Sequence, residues 1–136
     1  MSIVLLRCIL KFSLLLEMSW TYQLGPLDSE RFRASHVDAI VATTVESVAC
    51  SRTDLTGLDL SREITERVKA AVVEQGNVPR HRIAVQCVVS RDEGQSVQVA
   101  SKSLWDSSTD NYSSFTHKRD SDGTVISVFI FCVYKE

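Results

Sequence analysis

The chain has 136 residues, enough for one domain that builds a hydrophobic core without disulfide or metal support. Hydrophobic residues make up 44% and charged residues 24%, a composition that excludes a disordered chain or a multi-span membrane protein. The formal net charge is −2, from 15 Lys and Arg against 17 Asp and Glu. A nucleic-acid-binding function is therefore not expected, since such proteins carry an excess of Lys and Arg on one face.

Residues 1–20 are unusually apolar, with 14 apolar residues and only Arg7, Lys11 and Glu17 as charges. These charges interrupt the long apolar run that a membrane span needs. A signal peptide would carry an early basic region and a small-residue cleavage site, and neither is present. We therefore interpret residues 1–20 as an apolar N-terminal extension to a domain over residues 21–136. Translation from an alternative start at Met18 would give a chain with a polar N terminus.

The first predicted helix covers residues 30–50, with Asp28 or Ser29 as its N-cap. Its apolar residues recur every three or four positions, as on the buried side of an amphipathic helix. The stripe is Val37, Val41, Thr44 and Val48, flanked by the apolar residues Phe32, Ile40 and Val45.

A second helix is predicted from about residue 60 to 75, with Asp59 or Ser61 as its N-cap. Gly76 is expected to end it in a left-handed conformation, because glycine adopts positive φ without steric cost. The apolar stripe of this helix is Ile64, Val68, Ala71 and Val72.

After Pro79 the apolar period changes to two, which indicates β-strands. The last strand is apolar on both faces apart from Ser127, as expected for a strand buried on both sides of a sheet. Asp120–Gly123 has the composition of a hairpin turn before it. The four predicted strands are Arg82–Arg91, Ser96–Trp105, Tyr112–His117 and Thr124–Tyr134.

Two helices followed by four strands predict an α+β domain, with two N-terminal helices packed on a four-stranded antiparallel sheet. Two helices cover only one face of such a sheet, yet the last strand is apolar on both faces. The second face is therefore expected to meet a partner, or a strand to be exchanged between protomers. Dimer assembly is the first functional indication.

Cysteine and histidine spacing gives no catalytic or metal-binding motif. The cysteines lie 37 to 45 residues apart and form no C-x-x-C pair, so we interpret them as free thiols. Cys87 and Cys132 lie among apolar strand residues, where burial makes a thiol a poor nucleophile. We expect no cofactor and no metal.

Asp106, Ser108 and Asp110 match the first ligand positions of an EF-hand calcium loop. Asn111 then stands where glycine is needed, and His117 stands where a bidentate Glu is needed. A loop that folds on its own Asp and Ser side chains is the better interpretation.

The segment Leu104-Trp105-Asp106-Ser107-Ser108-Thr109-Asp110-Asn111-Tyr112 contains a W-D-x-x-x-D loop after the second predicted strand. With the order α-α-β-β-β-β, this loop resembles the Tctex-type dynein light chains. Thr21-Tyr22-Gln23-Leu24-Gly25-Pro26 and Val78-Pro79-Arg80 are similar to the "Tctex domain-containing" branch. The resemblance covers about residues 21–136.

This resemblance implies a non-enzymatic dimeric adaptor in a dynein motor complex, cytoplasmic and cytoskeletal, in the cilium or axoneme for this branch. Members of the family exchange a strand between protomers and add a dynein intermediate chain segment to their sheet. The expected partners are therefore a dynein intermediate chain and a second light chain, identical or related. Neither nucleic acid nor a membrane is expected as a partner.

The resemblance also implies that Ser96–Leu104 is the exchanged strand. Val97 and Val99 would face a hydrophobic layer, and Trp105 would anchor the strand end at the interface. The alternatives are that the two valines face the protomer's own helices and that Trp105 covers the local core. The expected dimer and peptide-binding residues are Val97, Gln98, Val99, Lys102, Leu104 and Trp105.

Asp106, Ser108 and Asp110 would shape the loop that returns the chain to the sheet. Turn formation without ligand contact is the favoured interpretation of these residues. Two other functions stay open from the sequence. One is a dynein-independent dimeric scaffold for other extended peptides. The other is a small α+β enzyme with a site at the dimer interface.

Overall fold

The computed structural model describes residues 25–135. The proposed N-terminal extension, residues 1–20, and the alternative start at Met18 lie outside the described residues. The elements are a short 3-10 turn (Asp28–Glu30), helices α1 (Ala34–Ser51) and α2 (Gly57–Gln75), and strands β1 (His81–Arg91), β2 (Asn111–Arg119) and β3 (Thr124–Tyr134).

Helix α1 confirms the first predicted helix, but its predicted cap is wrong. Asp28 and Ser29 belong to the 3-10 turn, and the backbone at Arg31 and Arg33 is extended. The helix therefore begins at Ala34, with Arg33 as an N-cap that makes no side-chain capping bond. A polar residue caps a helix only where the chain actually turns into it.

Helix α2 confirms the second predicted helix and begins earlier, at Gly57. The predicted caps are wrong, because Thr56 is the N-cap and the Ser61 hydroxyl donates to the Leu58 carbonyl oxygen at 2.8 Å. Neither α1 nor α2 has the length and apolar character required to cross a membrane.

Gly76 ends α2 as predicted, but not in the left-handed conformation. Its φ is −75°, and the next residue, Asn77, adopts positive φ instead. Glycine is still required at this position for a steric reason. A Cβ atom at residue 76 would overlap the backbone carbonyl oxygen of Val72.

The sheet is antiparallel and has the order β1-β3-β2. Its central strand is β3, which confirms the prediction from the apolar character of both β3 faces. The prediction of a fourth strand at Ser96–Trp105 is not met, since no strand lies between β1 and β2 in the described chain. Strands β1 and β2 occupy the two edges of β3. Among the described residues, the backbone of Ser96–Trp105 pairs with neither of them.

The two helices cover one face of the sheet, which we call the inner face. Alternate residues of β3 point into this core, from Ile126 to Cys132, and are fully buried. The helices contribute mainly valines and three larger aliphatic residues. The buried helical residues are Val37, Ile40, Val41, Val45, Val48, Ala49, Leu60, Ile64, Val68 and Val72.

The opposite face of the sheet, the outer face, is not covered by helices. Its β3 residues Val125, Phe129 and Phe131 are half-buried, and Val133 is exposed. An apolar face that lies open on a single chain is typical of an interaction surface.

Arg119 joins the β2–β3 hairpin to the connection between the helices. The buried guanidinium donates to the Asp122 carboxylate at 2.5 and 3.1 Å. It also donates to the carbonyl oxygens of Arg52 and Leu55 at 3.4 and 3.2 Å. Arg119 holds the pKa of the Asp122 carboxyl far below its usual range. This contact fixes the hairpin end of the sheet against the helical layer.

We predict that Ile130→Ala lowers the free energy of unfolding by about 2–5 kcal/mol, because the side chain is fully buried in the core. Val73→Ala is the matched control, since Val73 is 61% exposed on α2; its effect should stay within about 0.5 kcal/mol. Urea denaturation at one chain concentration measures both. Equal losses would contradict the assigned core.

Candidate functional site

The chain between β1 and β2 has to cross the sheet. Both strands are antiparallel to β3, so they run parallel to each other. Strand β1 ends at Arg91, opposite Thr124, whereas β2 begins at Asn111, opposite Cys132 at the other end of β3. We call residues 95–105 the connecting segment.

The first half of the connecting segment lies over the β1 side of the outer face. Val97 and Val99 line a cleft of about 160 Å³ together with Val88, Val125 and Ser127. All three sheet residues belong to the outer face, so the structure places the two valines away from the helices.

The second half of the connecting segment lies over the β2 side of the outer face. Ser101, Ser103 and Trp105 line a second cleft, of about 250 Å³. The sheet residues that line it are the outer-face residues Tyr112, Ser114, Phe129 and Phe131.

The odd-numbered residues of the connecting segment therefore face the sheet. Gln98 and Lys102 line neither cleft, and Leu104 is fully exposed. This alternation is that of an extended strand. Val97 and Val99 are nevertheless 61% and 47% exposed, so the outer face covers them only in part.

The backbone of the connecting segment is unpaired. Within the described range, residues 95–104 form no strand and no backbone hydrogen bond with the rest of the chain. The segment thus has the side-chain pattern of a strand without a neighbouring strand. An extended backbone of this kind is a template for pairing with another chain.

Trp105 anchors the end of the connecting segment on the outer face. Its ring stacks on Tyr112, with centroids 6.5 Å apart, and contacts Phe131 at 6.2 Å. Aromatic pairs at such separations add stability beyond the area they bury. The Trp105 side chain is half-buried, and it covers outer-face aromatics rather than the core beneath the helices.

The loop over residues 106–110 is folded by its own carboxylates. Asp106 Oδ1 accepts hydrogen bonds from the Ser108 amide and hydroxyl at 2.9 and 2.6 Å, and these bonds lower the pKa of Asp106. Asp110 Oδ2 accepts from the Asp106 amide at 3.0 Å. The acidic oxygens are thus directed at the loop's own N–H and O–H groups. Turn formation without ligand contact stays a prediction for these residues.

Asp110 also ties this loop to the sheet. Its Oδ1 accepts a hydrogen bond of 2.8 Å from the backbone N–H of Tyr134, the last residue of β3. No sequence pattern predicts this contact, because the two residues are 24 positions apart and no local motif joins them. The loop is therefore fixed at one end of the central strand.

The thiols of the sheet are poor nucleophiles. Burial raises the pKa of Cys87 to about 11 and that of Cys132 to about 12. A thiol reacts as its thiolate, so neither group is activated at neutral pH. Among the described residues, no cluster of His, Cys, Asp and Glu could hold a metal ion.

Comparison with known proteins defines the family. The model of the Tctex-1 family matches residues 31–131, which run from before α1 into β3. The chain belongs to the Tctex-1 family. The resemblance that the W-D loop and the order of elements indicated is thereby confirmed.

Curated relatives agree with this assignment. The chain is 33% identical over 111 residues to human "Dynein light chain Tctex-type protein 2B", covering 80% of this chain and 78% of that protein. It is 32% identical to the mouse protein of the same name, and the match covers 80% of this chain and 76% of that protein. It is 27% identical to "Dynein light chain Tctex-type 5-A" of Xenopus laevis, and the match covers 82% of this chain and 63% of that protein.

The family is structural and non-enzymatic, as the names of these light chains indicate. As a member of this family the chain is not an enzyme, which removes the alternative of a small enzyme with an interfacial site. The open questions concern its partners, for which the outer face and the connecting segment are the structural candidates.

We predict that Asp110→Ala lowers the free energy of unfolding by about 1.5–3 kcal/mol, the typical value of hydrogen bonds to a charged group. The substitution removes the acceptor for the Asp106 and Tyr134 amides. Ser107→Ala is the control in the same loop, because Ser107 is exposed. Thermal denaturation compares the two variants, and similar melting temperatures would contradict the role assigned to Asp110.

Proposed function

We propose that this protein is a non-catalytic dynein light chain that acts as a dimeric adaptor in a microtubule motor complex. Two facts support the proposal. The chain belongs to the Tctex-1 family, and its relatives are named dynein light chains. Its connecting segment is extended, unpaired and held over an apolar sheet face. This segment is the single observation on which the mechanism rests.

The dimer forms by exchange of the connecting segment between two chains. Residues 96–104 add as a strand to a free edge of the partner's sheet, and the partner's segment does the same in return. The two outer faces then pack on each other at the usual distance of about 10 Å between sheets. Val97, Val99 and Trp105 occupy the layer between the sheets, and Gln98 and Lys102 face away from it.

The dimer binds an extended segment of a dynein intermediate chain by β-strand addition. Backbone hydrogen bonds to a sheet edge supply the affinity, and pockets for alternate side chains supply the specificity. This activity places the protein in the cytoplasm on the cytoskeleton, in the cilium or axoneme. The second protomer is an identical chain or a related light chain.

Affinity purification of the tagged full chain from ciliated cells tests this function. A dynein intermediate chain should co-purify with the wild-type protein and should be depleted with a variant that does not dimerise. Recovery of other proteins without any dynein intermediate or heavy chain would contradict the proposal and favour a dynein-independent scaffold.

We predict that Val99→Asp weakens dimerisation at least about tenfold, because the dimer would bury an unpaired carboxylate between the sheets. Gln98→Asp introduces a carboxylate at the neighbouring residue, which faces away from the sheet, and should dimerise normally. Light scattering over a range of micromolar concentrations measures both. Equal dimerisation of the two variants, or a wild-type chain that stays monomeric, would contradict strand exchange.

A further inference from the structure

His81 is a half-buried histidine whose two ring nitrogens are shielded from solvent. It is the first residue of β1 and pairs with Tyr134 at the end of β3. The two rings meet edge to face, with centroids 5.3 Å apart. Both ring nitrogens are inaccessible to solvent and form no hydrogen bond of ordinary geometry within the described residues. Buried polar atoms without partners are rare in folded proteins and call for an explanation.

Several charged and polar groups surround this ring. The Thr109 carbonyl and the Asp110 carboxylate come from the loop over residues 106–110, and the Glu30 carboxylate comes from the 3-10 turn. Arg80 precedes His81 and lies over the Tyr134 ring at 6.0 Å. The first three groups favour a protonated ring, but burial opposes it more strongly and lowers the pKa of His81 below 6.5. The ring is therefore neutral at physiological pH.

We propose that His81 is a pH-sensitive latch that holds the loop over residues 106–110, and with it Trp105, against the end of the sheet. The latch is closed while the ring is neutral and packed on Tyr134. Its position between the start of β1 and the loop is independent of any partner chain, so the latch does not rest on the proposed dimer.

Protonation opens the latch because the Thr109 carbonyl can accept from only one of the two ring N–H donors, and the nearby carboxylate is already in use. A protonated ring carries two N–H donors and a charge, and Asp110 is its nearby carboxylate from the loop. The two oxygens of Asp110 already accept from the Asp106 and Tyr134 amides. A charged His81 either draws this carboxylate away from the Tyr134 amide or leaves its packing site. The first outcome breaks the tie between the loop and β3, and the second removes the ring that packs on Tyr134 beside that tie.

The sign of the pH effect follows from the lowered pKa. The closed state binds a proton less readily than a solvated histidine, whose pKa is about 6.5. Closure is therefore fully favourable above about pH 6.5 and is weakened as the pH falls below it, toward the pKa of the closed state.

Trp105 fluorescence tests the latch in the full-length chain. Trp20→Phe leaves Trp105 as the single tryptophan, since the sequence contains two. Between about pH 7.5 and about pH 5.5, its emission should shift reversibly to longer wavelength, with a midpoint below about 6.5. His81→Phe keeps an aromatic ring against Tyr134 and should abolish the shift. His117→Phe, at a half-buried histidine on the inner face of β2, should retain it.

An unchanged emission in the Trp20→Phe chain, or a shift that persists with His81→Phe, would overturn the latch. So would a midpoint that varies with chain concentration, which would assign the transition to dimer dissociation. The proton NMR titration of His81 in the unaltered chain gives a second measurement if His81→Phe does not fold. A pKa below 6.5 supports the latch, and one at or above 6.5 overturns it.

Discussion

The pairing of β3 on both of its edges is the constraint from which the rest of the structure follows. Its backbone bonds to β1 on one side and to β2 on the other. Its inner residues, from Ile126 to Cys132, form the floor of the core beneath the helices. Because β1 and β2 flank the same strand and both run antiparallel to it, the chain between them has to cross the sheet. The connecting segment exists for this topological reason.

The connecting segment crosses the sheet with the alternating side chains of a strand, but no strand of the described chain lies beside it. The odd-numbered side chains of the connecting segment meet the outer face, but Val97 and Val99 stay largely exposed there. Unpaired backbone groups and half-covered apolar side chains both gain from a second chain. These two features are the structural basis of the proposed strand exchange.

The loop over residues 106–110 holds the segment at its return to the sheet. Its carboxylates are used for folding, since Asp106 closes the turn and Asp110 bonds to the end of β3. The W-D motif thus lies where the connecting segment rejoins the sheet, with Trp105 on the outer face and Asp110 near the half-buried ring of His81. A change in the conformation of this loop would alter the position of the connecting segment, because the loop directly follows it in the chain.

The sequence by itself determined the helices, the three strands and the hairpin, because apolar period and turn composition are local properties. It also determined the family, through the W-D loop and the order of elements. The helix caps and the conformation of Gly76 required the actual path of the backbone. Only the tertiary structure decided that Ser96–Trp105 pairs with no strand among the described residues of its own chain and that Asp110 reaches Tyr134. A strand forms only beside a neighbouring strand, and one donor to the Asp110 carboxylate is 24 positions away, so neither can be read from a local pattern.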